Sequence, residues 1–285
     1  MFKNPNDVIK KLELENYLIN DKIATSVFLA CSLNKPLLVE GPAGVGKTEL
    51  GKAIAHATDG NLIRLQCYEG LDEAKALYEW NYQKQLLYIL SMHKTEGVLW
   101  KDIKESIYEP DFIFERPLLK AFLSDKPTIL LIDEIDKSDD EFESFLLEAL
   151  SEYQISIPEY GVIKAKSCPF VLLTSNNQRQ LSDALKRRCL YLYIDFPDIE
   201  TEVAILTLRV PELKRELACK LVAYVQTLRK LDLRKAPSIA ETIDWAKAII
   251  ALGKDDLDKE TIQKTINLLV KYYQDLKKVE RKILS

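Results

Sequence analysis

One stretch, Leu37–Thr48 (LLVEGPAGVGKT), constrains this chain more than any other. Four residues that read as a buried strand run straight into Gly41-Pro42-Ala43-Gly44-Val45-Gly46-Lys47-Thr48, and a helical pattern follows from Thr48 to Thr58. A GxxxxGK[ST] loop has a mechanism in that order: strand, glycine loop, helix. The glycines let successive backbone N–H groups turn inward around phosphate oxygens with no side chain in the way. The helix presents its partly positive end to the same anion. Lys47 can then reach the β- and γ-phosphates, and the Thr48 hydroxyl can sit on Mg²⁺. A glycine-rich turn that matched by chance would not carry both flanks. The stretch predicts a nucleoside triphosphate site.

The chain has 285 residues, 47% hydrophobic and 29% charged, enough for one large or two ordinary globular domains. The apolar runs Val27–Leu33 and Thr128–Ile132 fall short of the roughly 18 residues of a membrane helix. The start, MFKNPNDVIKK, has neither the apolar core nor the small-residue cleavage site of an export signal. The expectation is a cytoplasmic protein without membrane insertion. A net charge of −4 and a pI near 5.5 argue against a dedicated nucleic-acid surface, although a local basic patch can hide in an acidic average. Cys31, Cys67, Cys168, Cys189 and Cys219 are scattered and lack metal-ligand spacing. Most read as small core side chains, and His56 and His93 read as structural.

Apolar residues at helical spacing predict two helices between Asp7 and Leu33, broken near Asn20–Asp21. Strand signals follow at Leu37–Glu40, Asn61–Gln66, Thr128–Ile132, Pro169–Thr174 and Leu190–Ile194. The spacing also predicts helix over Leu71–Met92, then a polar stretch with Trp100, an extended piece at Phe112–Phe114 and a helix at Pro117–Leu123. Ser138-x-x-Glu141 reads as a capping box opening a helix to Leu150, and Ile155–Ile163 reads as a hairpin. After Pro197 only helices are predicted, over 200–210, 212–231, 238–252 and 259–283, with Ser238-x-x-Glu241 as a second capping box. The fold class is α/β, a doubly wound parallel sheet over residues 1–196, followed by a small all-α domain over 197–285.

Three further signals carry chemistry. Ile129-Leu-Leu-Ile-Asp133-Glu134 delivers two carboxylates at the end of a buried strand, where open α/β sheets bind ligands. Asp133 is expected to hold Mg²⁺, and Glu134 to deprotonate an attacking water; solvated acids at a strand end are the plainer reading. Asn176, ending Leu172-Leu-Thr-Ser-Asn, is either a turn-former or a second hand on that water. Lys186-Arg187-Arg188 is either a solvated face or the source of an arginine finger.

Together these residues resemble the AAA+ ATPases. The nearer likeness is to the MoxR family, in particular the CoxD-like subgroup of accessory ATPases in carbon-monoxide dehydrogenase maturation. GPAGVGKTE (Gly41–Glu49), RLQCYEGLDEAKALYEW (Arg64–Trp80), LLIDEID (Leu130–Asp136), ISIPEYGVI and LTSNNQRQLSDALKRRCLY (Leu173–Tyr191) carry it, over roughly Tyr17 to Ile250. The resemblance implies a P-loop NTPase core with a helical lid, ATP and Mg²⁺ as cofactors, and a homohexameric ring. It implies Asn176 as the sensor-1 residue and Arg188, with Arg187 as close rival, as the finger reaching the neighbour's nucleotide. It places Tyr17–Ile19, including Tyr17 and Ile19, against adenine, and reads the hairpin and the helical stretch after Gln66 as pore-facing inserts. Where many such lids carry the sensor-2 arginine just after a proline, Pro237 is followed here by Ser238. Arg234 or Lys235 takes that role, or both are exposed cations at a helix start.

The resemblance also implies a partner with a von Willebrand factor A domain and a client metalloenzyme. Two other readings stay open: a nucleic-acid motor or loader of the same fold, and a nucleotide-dependent binding switch with little turnover. A guanine-specific GTPase is disfavoured, because no NKxD motif follows the loop.

Overall fold

The computed structural model describes residues 1–92, 106–157 and 161–284. His93, Trp100 and the hairpin turn with Glu159 and Tyr160 lie outside them. Five parallel strands form the central sheet: β1 (Leu37–Glu40), β2 (Asn61–Gln66), β5 (Thr128–Asp133), β8 (Phe170–Ser175) and β9 (Leu190–Tyr193), in the order β2-β5-β8-β1-β9. Every residue of β1, β5 and β8 is buried, as expected of strands covered on both faces. In register, Gln66 pairs with Asp133, and Glu40 with Ser175 and Tyr193. The chain therefore leaves these strands at one edge, and the loops after β1, β5 and β8 meet there.

Helix α3 (Lys47–Ala57) crosses one face of the sheet and approaches closely at Gly51. A Cβ there would lie 3.1 Å from Leu172 Cδ2 and 3.2 Å from Leu131 Cδ1. Helices α1 (Pro5–Leu14) and α2 (Asp21–Leu33) complete that side, each capped by an asparagine side chain, Asn4 and Asn20.

Helix over all of Leu71–Met92 is corrected. A short turn of helix, α4 (Glu73–Ala76), gives way to β3 (Tyr78–Trp80) before helix resumes as α5 (Tyr82–Met92). Strand β3 pairs antiparallel with β4 (Ile113–Glu115), matching Tyr78 to Glu115 and Trp80 to Ile113. Aromatic residues suit either element, and the pairing partner decides it. The expected hairpin is present as β6 (Gln154–Ile157) and β7 (Gly161–Lys164). The helix before it, α7 (Asp140–Glu152), is capped by Asp139 and not by Ser138, whose hydroxyl instead donates to the Ile135 carbonyl. Helix α6 (Pro117–Leu123) lies on the sheet near β2 and β5.

Beyond β9 the described chain is helical: α8 (Asp183–Arg188) precedes that strand, and α9 (Ile199–Arg209), α10 (Arg215–Arg229) and α11 (Ile239–Ala251) follow it. The Ser238–Glu241 capping box opens α11 as expected. The single helix expected over 259–283 is split into α12 (Lys259–Thr265), a 3₁₀ turn (Ile266–Leu268) and α13 (Tyr273–Val279). The bend lets Leu269, Val270 and Val279 enter one core together with Trp245 and Leu221. That core draws only on residues from Val203 onward, whereas the two cores flanking the sheet draw on residues up to Ile194.

The C-terminal helices are tied to the connection from the sheet by a buried ion pair. Arg229 Nη1 and Nη2 donate to Glu202 Oε2 and Oε1 at 2.6 and 2.7 Å, with side chains only 6% and 1% exposed. Arg229 also donates to the Pro237 carbonyl and lies over the Phe196 ring, and Gln226 bridges Glu202 to the Pro197 carbonyl. Removing one member leaves the other charge buried and unpaired. Arg229→Ala should lower unfolding free energy by about 3–5 kcal/mol, read from urea titration. A loss below about 1 kcal/mol would show that water already screens the pair.

Candidate nucleotide site

The turn after β1 reaches back over the sheet edge because two positions exclude a side chain. A Cβ on Gly41 would lie 2.0 Å from the Ile194 carbonyl oxygen. Gly44, at φ +76°, would place one 2.4 Å from Ser238 Cβ, so the loop rests directly on the start of α11. Gly46, also at positive φ, caps α3, and Tyr17 closes over it, its hydroxyl donating to the Gly46 carbonyl at 3.0 Å.

A cavity of about 510 Å³ opens between this edge and the C-terminal helices. Ala43 through Glu49 line it with Asp133, Glu134, Thr174 and Asn176; Tyr17, Leu18, Ile205, Ile239 and Ile243 supply apolar lining. Within it, Lys47 Nζ donates to the carbonyls of Gly41 and Pro42 and to Asn176 Oδ1, each at 2.8 Å. Burial depresses the Lys47 pKa, and Asp136, Asp133 and Glu134 oppose that by favouring its charge. The ammonium thus sits on three dipoles that an anion can displace.

Asp133 is 3% exposed and takes hydrogen bonds on both oxygens. Thr48 Oγ1 lies 3.0 and 3.2 Å from Oδ1 and Oδ2, Thr174 Oγ1 donates to Oδ1 at 2.5 Å, and Arg64 reaches Oδ2 through Nε at 3.1 Å and Nη2 at 2.5 Å. A hydroxyl beside a carboxylate is a hard-oxygen donor pair, which fits Mg²⁺. Among the described residues no group of three or more His, Cys, Asp or Glu side chains is placed to hold a metal alone, so phosphate or water oxygens would complete the shell.

Glu134 has φ +58°, uncommon for a residue with a side chain, and its N–H donates to Thr174 Oγ1 at 2.9 Å, which holds it there. Its carboxylate accepts from Gln66 Nε2 at 2.8 Å, Lys137 Nζ at 2.5 Å and Asn176 Nδ2 at 3.3 Å. Asn176 therefore bridges Lys47 and Glu134. Asp136 fixes that asparagine from behind, accepting from the N–H groups of Asn176 and Gln178 at 3.1 and 2.9 Å.

The structure brings Tyr17, Ala43–Glu49, Asp133, Glu134 and Asn176 to one cavity, and leaves other sequence candidates outside its lining. Ile19 packs on the core beneath the sheet, and Leu18 lines the cavity in its place. The Arg234 guanidinium lies over the Tyr272 ring, 4.3 Å from its centroid, and Lys235 pairs with Glu241 at 2.9 Å. Arg187 and Arg188 are exposed beside a second cavity with Lys35 and Tyr153, where Arg188 donates to the Leu147 carbonyl at 2.7 Å. Sequence reading missed Arg64, Gln66, Thr174 as a ligand of Asp133, Lys137 and Arg209. Alternation along β2 puts Arg64 and Gln66 on one face, but only the pairing with β5 puts that face beside the acids.

Of the five cysteines, all free, Cys67 and Cys189 are buried, Cys31 is partly so, and Cys168 and Cys219 are exposed, so fewer are core residues than expected. Burial, reinforced by Asp133, Asp136 and Glu134, pushes the Cys67 thiol up to about 12. A raised pKa keeps the neutral thiol stable below its unfolded value and costs stability as pH climbs from there toward 12. At pH 8.5, iodoacetamide should spare Cys67 in folded protein and modify it in urea, as read by peptide mass mapping. Rapid labelling of Cys67 in the folded state would contradict its placement.

A family model for the AAA domain, dynein-related subfamily, matches residues 36–189, more than half of the chain. Over 228 residues, 78% of either chain, the sequence is 22% identical to an uncharacterized protein of Staphylococcus epidermidis. In fold it is similar to the RuvB Holliday junction branch migration motor of Thermotoga maritima, at 16% identity and TM-score 0.51 over 99% of this chain and 79% of that one. It is also similar to an ATPase candidate from Cytophaga hutchinsonii, at 16% identity and TM-score 0.50 over 98% and 91%. The chain belongs to the AAA domain family, dynein-related subfamily, and has the P-loop AAA+ fold.

Proposed function

We propose that this chain is a Mg²⁺-dependent ATPase that acts as a homomeric ring, a hexamer, and uses hydrolysis to remodel a partner protein. The observation that supports it most is the chain of contacts Lys47–Asn176–Glu134 beside Thr48–Asp133, all at one sheet edge. Gly41–Thr48 cradles the phosphates, and Lys47 leaves its carbonyl and amide partners for their oxygens. Thr48 and Asp133 would hold Mg²⁺, which when bound neutralises charge on the phosphate chain. Asn176 orients the attacking water, and Glu134 accepts its proton as the water oxygen bonds to the γ-phosphorus and ADP leaves. Gln66 and Lys137 occupy the same Glu134 oxygen, so the base works once those contacts loosen.

The ring part of the reading is supported by where the arginines lie. Arg187 and Arg188 do not line the cavity of their own chain, and a finger acting in trans would complete a neighbour's site. We propose residues 1–196 as the nucleotide-binding domain and 197–285 as the helical lid, and a place in the MoxR family with a von Willebrand factor A partner and a metalloenzyme client. The family likeness of Arg64–Trp80, the hairpin and Leu173–Tyr191 supports that finer assignment.

Glu134→Gln should bind ATP with near-normal affinity and lose at least ~100-fold in turnover, the usual worth of a general base. Arg188→Ala or Arg187→Ala should reduce turnover by ~10³-fold with binding retained, and wild-type turnover per chain should rise with protein concentration. Turnover per chain that is constant across a hundredfold dilution would sink the ring, and near-normal hydrolysis by Glu134→Gln would remove Glu134 as the base. DNA should leave the rate unchanged; salt-sensitive stimulation by DNA would favour the motor reading instead.

A further inference from the structure

Glu40 is the last residue of β1, directly before Gly41, and the phosphate chemistry makes no use of it. It is 5% exposed, and its two oxygens are served unequally. Oε2 accepts a hydrogen bond from the Tyr191 hydroxyl at 2.9 Å. Oε1 is buried and, among the described residues, takes no hydrogen bond. A buried polar atom without a donor is destabilising, so a nearby cation is drawn to it. That cation is Lys186, whose Nζ stands 3.9 Å from Oε1. Closing the gap by about 1 Å makes a charge-assisted hydrogen bond.

Lys186 belongs to the last turn of α8, next to Arg187 and Arg188. Side chains two positions apart leave a helix on nearly opposite sides. Lys186 accordingly points to the end of β1, while Arg188 donates to the Leu147 carbonyl on α7 at 2.7 Å. Held from both sides, α8 has a fixed roll about its axis, and that roll sets where its arginines are aimed. The backbone of Glu40 is equally constrained. Its carbonyl accepts from the Ile194 N–H at 2.8 Å, and the next residue, Gly41, donates to the Ser175 carbonyl at 3.3 Å. Glu40 thus joins the start of the phosphate loop to the arginine-bearing end of α8.

We propose that Glu40, through Lys186, positions the α8 arginines for a neighbouring chain's nucleotide, so that the strand holding one site also aims the residue offered to the next. Glu40 does not line the nucleotide cavity and acts through Lys186, as a positioning residue. The inference rests on the proposed finger acting in trans, and it gives a role to a buried acid outside the GxxxxGK[ST] pattern. Misplacing a group that acts on the transition state by about 1 Å can cost as much as ~100-fold in rate.

The test uses assemblies of two variants, co-expressed under different affinity tags and purified through both. Glu134→Gln lacks the base and keeps its arginines; the double variant Arg187→Ala/Arg188→Ala keeps its base and lacks a finger. Their mixed assembly should hydrolyse ATP although neither does so alone. If no such assembly forms, or if it is inactive, the ring reading falls and this inference with it. Glu40→Gln alone should bind ATP normally by calorimetric titration and turn over about tenfold more slowly. Mixed with Glu134→Gln it should regain turnover, because its own loop and base are intact. Mixed with the double arginine variant it should not. Lys186→Met should show the same pattern, and Lys186→Arg should keep near-normal turnover. Lys186 is part-exposed, so its variants decide the matter if melting curves show Glu40→Gln to be misfolded. Once the first mixture is active, near-normal turnover of Lys186→Met overturns this inference alone. So does recovery with the double arginine variant, or a loss of ATP affinity, either of which would place the effect of Glu40 on its own loop.

Discussion

The architecture of the site depends on one buried carboxylate. The Asp133 carboxyl lies at 3% exposure, and burial of so polar a group is tolerable only if its oxygens are hydrogen-bonded. Its donors come from three places, Thr48 after β1, Arg64 on β2 and Thr174 on β8, and Thr174 in turn accepts from the backbone N–H of Glu134. Satisfying Asp133 therefore fixes the phosphate loop, the neighbouring strand and the candidate base relative to one another. The parallel sheet makes this possible, since only strands that run the same way bring these loops to a common edge.

Charge orders the rest of the site as well. Each acid of the pair has a cation of its own chain against it, Arg64 on Asp133 and Lys137 on Glu134. Opposite charges at this sheet edge thus pair with one another. Lys47 does the same with the dipoles of Gly41, Pro42 and Asn176. These contacts hold the side chains in fixed positions around the cavity.

The C-terminal helices contribute differently. Their own core and the Glu202–Arg229 pair make them a unit, and the unit touches the phosphate loop through Ser238 on Gly44 and through Arg209 near Glu49. Both contacts are small compared with the cores on either side of the cavity.

The sequence by itself determined the five strands of the sheet, the phosphate loop and the acidic pair, because strand burial, glycine spacing and strand-end acids are local signals. The hairpin and the Ser238 capping box were legible for the same reason. It misread Leu71–Met92, where Tyr78–Trp80 becomes a strand only because Ile113–Glu115, more than thirty residues away in sequence, pairs with it. It did not find Arg64 and Gln66 as partners of the acids, since that follows from β2 lying next to β5. Nor did it find Arg209, which no motif marks and which reaches the cavity only because α9 packs where it does. The tertiary structure alone decided these, because residues far apart in the chain become neighbours through strand order and helix packing, which no short window of sequence encodes.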